Sequence, residues 1–256
     1  MAVMGKEMRL DKLLAEVGVG TRSQIKDMAK KGRIRVNGAA EKKTDRKVNP
    51  EQDEITIDHL PVVYAETEYY MLNKPQGVVS ATEDSIHKTV LDLLKNGPDS
   101  PVRTDLFPVG RLDLDTEGLL LITNDGELAH NLLSPKRHVD KRYYAKVEGE
   151  LPLDAAEQFG KGITLLDGTR TMAARLEILE EYGTEESPGA EIVLTIHEGK
   201  FHQVKRMFEA LGCKVAFLKR LSMGSLMLDE SLSPGEFRRL SREEVEALRG
   251  LGESRE

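Results

Sequence analysis

Cysteine, long apolar runs and cofactor signatures are what this sequence lacks. A single cysteine, Cys213, in 256 residues leaves no internal disulfide framework and no multi-cysteine zinc site. Taken alone it reads as a small buried apolar residue, not a reactive thiol. No stretch approaches the roughly 18 apolar residues that a membrane-spanning helix requires, and the opening segment MAVMGKEMRL lacks the apolar centre of a secretory signal. A cytoplasmic protein without a membrane partner is expected. Also missing are a Walker-type phosphate loop, a strand-linked GxGxxG, a GxSxG elbow, an HExxH pair and a Cys-x-x-Cys. These absences argue against nucleotide-driven, dinucleotide-dependent and zinc enzymes, so neither a cofactor nor a metal is expected.

What is present is a globular composition with its charge unevenly spread. Apolar residues make up 39% and charged residues 32%, the balance of a folded chain and not of a disordered one. At 256 residues the chain is long enough for two domains, on a scale of about 100 to 200 residues each. The formal net charge of -7 would by itself speak against a polyanionic partner. Residues 1–50, however, hold 13 Lys and Arg against 6 Asp and Glu, which leaves 24 against 38 for the rest. A basic head on an acidic body points to an appended module that meets a polyanion while the larger domain does something else.

Leu10, Leu13, Leu14 and Val17 recur at i, i+3, i+4 and i+7, which predicts a first helix that Gly18 and Gly20 stop. Thr21, with Gln24 three residues later, has the form of a capping box. It opens a second helix with Ile25, Met28 and Ala29 on its apolar face and Gly32 at its end. Along that helix Arg22, Lys26 and Lys30 fall on one side. Arg33 and Arg35 follow at alternate positions of a short strand closed by an Asn37-Gly38 turn. Charge alone does not distinguish a solvated basic face from a phosphate-binding one. The segment RLDKLLAEVGVGTRSQIKDMAKKGRIRVNG resembles the small RNA-binding module named after ribosomal protein S-four, over roughly residues 8 to 55. The resemblance implies that Arg9, Lys12, Arg22, Lys26, Lys30, Arg33 and Arg35 face structured RNA, with salt-dependent affinity.

Residues 59–68, with Pro61 among them, read as a linker. Beyond it, strands are predicted at 69–72, 119–123, 143–148, 175–179, 191–197 and 215–218. Helices are predicted at 89–94, 127–133, 155–161 and 203–211, and a capping box from Ser241 to Glu244 opens a last one. Residues 183–190 read as an exposed loop. The irregular order favours a mixed sheet with flanking helices, an α+β fold, over a doubly wound parallel sheet.

Two polar constellations could carry chemistry. In the first, Pro108-Val109-Gly110-Arg111-Leu112-Asp113-Leu114-Asp115-Thr116-Glu117-Gly118 runs directly into the apolar strand Leu119-Leu120-Leu121-Ile122. A polar loop feeding a rigid buried strand is a good mount for an active carboxylate. Spacing leaves open whether Asp113 and Asp115 are loop-capping acids, a metal pair, or one active acid beside a structural partner. The second is Glu198-Gly199-Lys200-Phe201-His202-Gln203-Val204-Lys205-Arg206-Met207. It lies in a stretch, residues 197–220, with 6 Lys and Arg against 2 Asp and Glu. His87, His130, His138 and His202 are not at metal-ligand spacing and read as polar surface or hydrogen-bonding residues.

Three blocks, YYMLNKPQGVVSATED, PVGRLDLDTEGLLLITNDGELAHNLLSPKRHVDKRYYAKVEG and EGKFHQVKRMFEALGCKVAFLKRLSMG, resemble the RsuA-type ribosomal small-subunit pseudouridine synthases and their large-subunit RluB-like relatives. The blocks stand in that family's order behind the same RNA-binding module, and the resemblance covers roughly residues 8 to 248. It implies an RNA-binding domain at 8–58 and a mixed-sheet catalytic domain with flanking helices at 66–250. It further implies that the aspartate of GRLD, Asp113, is the catalytic carboxylate and that Asp115 supports the loop. The aromatic residue that packs on the target base matches Tyr143 rather than Tyr144, and the basic residue paired with the carboxylate matches Lys205.

Turning uridine into pseudouridine breaks the bond from ribose to a ring nitrogen, rotates the uracil and rejoins it through carbon five. No redox step or group donor is needed. A carboxylate can serve as a nucleophile or as a base, and the sequence does not choose. The uridine must leave its stack, with Tyr143 as a stacking surface and Arg111, Lys205 and Arg206 near flanking phosphates. Asn73-Lys74-Pro75-Gln76-Gly77 reads either as a plain turn or as part of the RNA path. The expected partner is ribosomal RNA, from the small subunit before the large, and the expected state a monomer. A non-catalytic assembly factor and a metal-dependent RNA hydrolase using Asp113 with Asp115 are the competing classes.

Overall fold

The apolar stripe of the first helix closes a small core of its own. The computed structural model describes residues 7–95, 99–184 and 186–251. The chain divides into two units, one made of the chain up to Glu68 with Ser100–Leu106, the other of Tyr69–Asp99 with Phe107 onward. In the first unit β1 (Met8–Arg9) leads into α1 (Leu10–Glu16), and α2 (Arg22–Lys30) follows. Leu10, Leu13 and Leu14 are fully buried against Ile25 and Ala29 of α2. The capping box forms in both directions, the Thr21 N–H donating to Gln24 Oε1 at 2.8 Å and the Gln24 N–H to Thr21 Oγ1 at 3.3 Å.

The short strands β2 (Ile34–Val36), β3 (Ala39–Ala40), β4 (Lys47–Val48), β5 (Ile55–Ile57) and β6 (Leu60–Pro61) complete this unit, with β3-β2-β5-β6 as one antiparallel sheet and β1 paired to β4. Asn37 and Gly38 both have positive φ, 52° and 79°, as a two-residue hairpin turn demands. The stretch expected to be a linker is structural. Pro61 is tolerated because β6 is an edge strand, while Val62 and Tyr64 pack on the core and the Tyr64 hydroxyl lies 3.1 Å from Glu16. Ser100–Leu106 returns to the same unit. The Arg103 guanidinium, 4% exposed, is balanced by Glu16 at 2.5 Å and Asp105 at 2.6 Å.

The second unit is built on β7 (Tyr69–Lys74), α3 (Val90–Leu93), β8 (Phe107–Pro108), β9 (Glu117–Thr123), α4 (Gly126–Leu133), β10 (Lys141–Glu148), α5 (Ala155–Lys161), β11 (Arg175–Thr184), β12 (Ser187–Ile196), α6 (Gln203–Glu209), β13 (Lys214–Met223), β14 (Leu226–Met227), β15 (Phe237–Arg239) and α7 (Arg242–Gly250). Its sheet runs β11-β12-β10-β13-β9-β7-β15, with β14 added to β13 and β8 to β9. The β9–β13 pairing is parallel and the others are antiparallel, so the sheet is mixed and the fold is α+β. Residues 183–190, expected as a loop, belong mostly to the tight β11–β12 hairpin, with Glu185 outside the described residues. The polar composition that suggested a loop reflects an edge strand whose outer half is exposed.

Leu119 and Leu121 of β9 pack with Leu128, Ala129 and Leu132 of α4 and Leu248 of α7. Phe159 of α5 and Phe208 of α6 meet at 5.0 Å between ring centroids. Strand β9 is thus held in the middle of the sheet, and the GRLDLDTEG loop is fixed to its leading end. Gly118 explains part of this. Its φ is +100°, and a Cβ there would lie 2.3 Å from the Arg220 carbonyl oxygen, so the close β9–β13 crossing requires glycine.

Candidate active site

The loop before β9, the start of β10 and the N-terminal turn of α6 converge on one pocket. Its lining includes Arg111, Leu112, Asp113 and Thr116 from the loop, Tyr143 from β10, and Lys200, His202, Gln203 and Lys205 at and before α6. Ile196 and Leu218 supply apolar floor. A concave site with an apolar floor and convergent polar groups is the usual form of a small-group binding site. Of the residues singled out in the sequence, Asp113, Tyr143, Lys205 and Arg111 therefore share one cavity. Tyr144, the next residue along the strand, instead makes an edge contact with Phe217 at 6.0 Å.

Lys205 stands between two carboxylates. Its Nζ is 3.3 Å from Asp113 Oδ2 and donates to Asp115 Oδ1 at 2.6 Å. That hydrogen bond from Lys205 holds the Asp115 carboxyl below its ordinary range, with burial opposing. Asp115 thus does more than shape the loop: it shares the cation. His202 Nε2 lies 3.5 Å from Asp113 Oδ1, on the other carboxylate oxygen. His202 adopts a left-handed conformation, φ +48°, at the cap of α6. That region is uncommon for residues other than glycine, though histidine enters it more readily than most, and the ring lies beside Asp113.

The Asp113 loop is braced from beneath by the segment that follows β7. The Lys74 ammonium is fully buried and donates to the carbonyl oxygens of Pro75 at 3.0 Å, Asp113 at 3.0 Å and Thr116 at 2.9 Å. The Gly77 N–H donates to Leu114 O at 2.8 Å. Ser80 Oγ donates to Leu112 O at 2.9 Å and accepts from Leu112 N at 3.1 Å. Burial pulls the Lys74 pKa down to about 8, against the opposing pull of Asp113, Asp115 and Glu117. The Asn73–Gly77 stretch, read as a turn or RNA contact, is thus a cradle for the loop. Its signal was a lysine at the end of an apolar strand, where an ammonium is unexpected unless its three donors are used.

A second brace fixes the start of α6. Gln203 Nε2 donates to the buried Glu198 at 2.9 Å, the Lys200 N–H donates to Gln203 Oε1 at 2.9 Å, and Lys200 Nζ pairs with Glu198. The remaining basic candidates are differently placed. Arg206 pairs with Asp167 and does not line the pocket. In the first unit, Arg9 is held by Asp11 at 2.7 Å, Lys12 by Glu16 at 3.7 Å, Lys30 by Asp27 at 3.9 Å and Arg33 by Asp58. Arg35 donates to Gly38 O at 2.9 Å, while Arg22 and Lys26 stand exposed one turn apart on α2.

The chain is similar to known proteins. The profile of a family described as RNA pseudouridylate synthase matches residues 68–210, and the S4 domain profile matches residues 8–55. The uncharacterized RNA pseudouridine synthase YtzG of Bacillus subtilis (strain 168) is 47% identical, over 94% of this chain and 98% of that protein. The ribosomal small subunit pseudouridine synthase A of Vibrio cholerae is 43% identical, over 94% of this chain and 99% of that one. The ribosomal large subunit pseudouridine synthase B of Bacillus subtilis is 40% identical, over 96% and 97%. A crystal structure of pseudouridylate synthase superposes with a TM-score of 0.63 at 38% identity, covering 94% of this chain and 99% of that one.

Proposed function

The chain belongs to the RNA pseudouridylate synthase family, and from that premise we propose that it isomerises a specific uridine of small-subunit ribosomal RNA, with Asp113 as the catalytic carboxylate. The observation that carries this reading is the meeting of Asp113, Tyr143 and Lys205 in one pocket. In the reaction the uridine leaves its stack at a cost of a few kcal/mol and enters that pocket. Asp113 acts at the target nucleoside to release the ribose–N1 bond. The uracil turns, carbon five bonds to C1′, the carbon-five proton passes to water and N1 takes up a proton. Lys205 balances the charge of Asp113, and Tyr143 packs on the base.

Arg111 meets a flanking phosphate, and Arg206 does so by exchanging Asp167 for it. Arg9, Lys12, Arg22, Lys26, Lys30, Arg33 and Arg35 give the first unit its RNA-facing charge. The protein works as a cytoplasmic monomer on this reading. A large-subunit substrate is the second reading, supported by the 40% identity to the Bacillus subtilis large-subunit enzyme.

Release of tritium from ribosomal RNA labelled at uridine carbon five tests both. Wild-type protein is expected to release tritium from small-subunit RNA without added metal or cofactor, and Asp113→Asn to release none. Release from large-subunit RNA alone would transfer the assignment, and release from neither would sink it.

A further inference from the structure

Phe201 is the exposed aromatic beside the pocket, 71% accessible to solvent. Its ring is stacked on the imidazole of His202, with centroids 3.7 Å apart and planes 20° from parallel. His202 lines the pocket and reaches Asp113 at 3.5 Å. The two rings therefore form a short stack that begins beside the carboxylate and ends in solvent. Its spacing is close to the roughly 3.4 Å of successive bases in a nucleic-acid strand. His202 has left-handed backbone, φ +48°, at the cap of α6, and its ring lies between Phe201 and Asp113. Lys200 and Lys205 stand next to it in the pocket lining, each balanced by carboxylates, Glu198 for the first and Asp113 with Asp115 for the second, so the stacking faces and not free charge are what the stack offers a base.

We propose that Phe201 and His202 form a stacking platform for the nucleobase adjoining the target uridine. Flipping a uridine leaves its neighbour with an uncovered face, and the open face of Phe201 replaces the lost partner. The platform makes Phe201 a substrate-positioning residue, outside the bond-making steps. This inference rests on the isomerase reading of the same pocket.

The test is tritium release from small- or large-subunit RNA labelled at uridine carbon five, followed over a range of RNA concentrations for wild type and for Phe201→Ala, Phe201→Leu and Phe201→Trp. Because the side chain is exposed, all three variants should melt like wild type. Base–aromatic stacking is worth enough to predict a loss of about 5- to 150-fold in kcat/KM for the alanine and leucine variants, with KM taking the larger share. Tryptophan should restore the wild-type value. Leucine keeps apolar bulk but offers no π face, so a leucine variant equal to wild type overturns the platform, as does an unchanged alanine variant. A wild-type protein that releases no tritium from either RNA overturns the isomerase reading itself, a failure distinct from that of the platform.

Discussion

Lys205 donates its closest hydrogen bond to Asp115, at 2.6 Å. Asp113, at 3.3 Å, is its second partner. One cation thus serves two carboxylates of the same loop that differ in exposure: Asp115 is 67% exposed at its side chain and Asp113 only 28%. The more exposed acid is the more screened, so its loss should matter less.

Asp115→Asn therefore leaves Lys205 to Asp113 and should lower kcat by less than about 10-fold, whereas Lys205→Met removes the ammonium that bridges the pair and should cost about 10²- to 10³-fold, the scale of losing one charge-stabilising group. Single-turnover rates of the two variants and of the double variant check this. Equal losses for both single variants would mean that Asp115 has a direct part in the chemistry.

Lys74 should set a pH limit on turnover. With its pKa at about 8, it carries three N–H donors for the carbonyls of Pro75, Asp113 and Thr116 below that pH, and only two above it. The loop brace is complete on the acid side and weakened on the alkaline side, so kcat should fall as pH rises through about 8. Burial holds Lys141 at about 8 as well, but that lysine donates to a single carbonyl, Val139 O. A kcat profile in which Lys141→Met keeps the alkaline limb and Lys74→Met is slow throughout assigns the limb to Lys74. A profile flat to about pH 9.5 would exclude this role.

How far the sequence was legible divides along physical lines. Periodicity and caps located the helices because Leu10, Leu13 and Leu14, or Thr21 with Gln24, act through near neighbours in the chain. The site motif was legible as a loop feeding β9, since Leu119–Ile122 is an unmistakable buried strand. What local pattern could not show was contact across the sheet. Lys74 reaches a carbonyl 42 positions away, and Arg103 closes on Glu16 across 87. The inner halves of β11 and β12 were legible as strands, while the outer half of their hairpin was missed because its glycine, proline and glutamates have loop composition. His202 read as a polar surface or hydrogen-bonding residue, and only the fold shows its partner to be Asp113, 89 positions earlier, at 3.5 Å.

Gly118 offers a test of the frame itself. A Cβ at that position would meet the Arg220 carbonyl oxygen at 2.3 Å and its nitrogen at 2.8 Å, both backbone atoms that cannot rotate away. Gly118→Ala should therefore destabilise the second unit by about 3 kcal/mol, from strain at positive φ together with overpacking. That corresponds to a melting temperature lower by about 6 to 12 °C. Gly160, on α5, is the control: outside its own helix backbone and chain neighbours a Cβ there would meet nothing within 4 Å, and Gly160→Ala should be neutral or stabilising. Thermal unfolding followed by circular dichroism reads both, and equal melting of the two variants would refute the argument.

The basic helix of the first unit has a signature in salt. Arg9 and Arg33 already hold Asp11 and Asp58, so a phosphate that approaches either must displace a carboxylate and gains little net counterion release. Arg22 and Lys26 are exposed on one side of α2 and have no ion pair within 4 Å among the described residues, Arg22 feeling Asp11 only at longer range, so each can meet a phosphate without first giving up a paired carboxylate. Each such contact steepens the fall of log affinity with log salt by about 0.9 on a duplex and about 0.7 on a single strand. Replacing both by glutamine should therefore flatten that slope by about 1.4 to 1.8, while Arg33→Gln should flatten it by far less. Affinity for ribosomal RNA measured by fluorescence anisotropy across a salt series gives the slopes. A double variant with the wild-type slope would place the phosphate contacts on a different face of the protein.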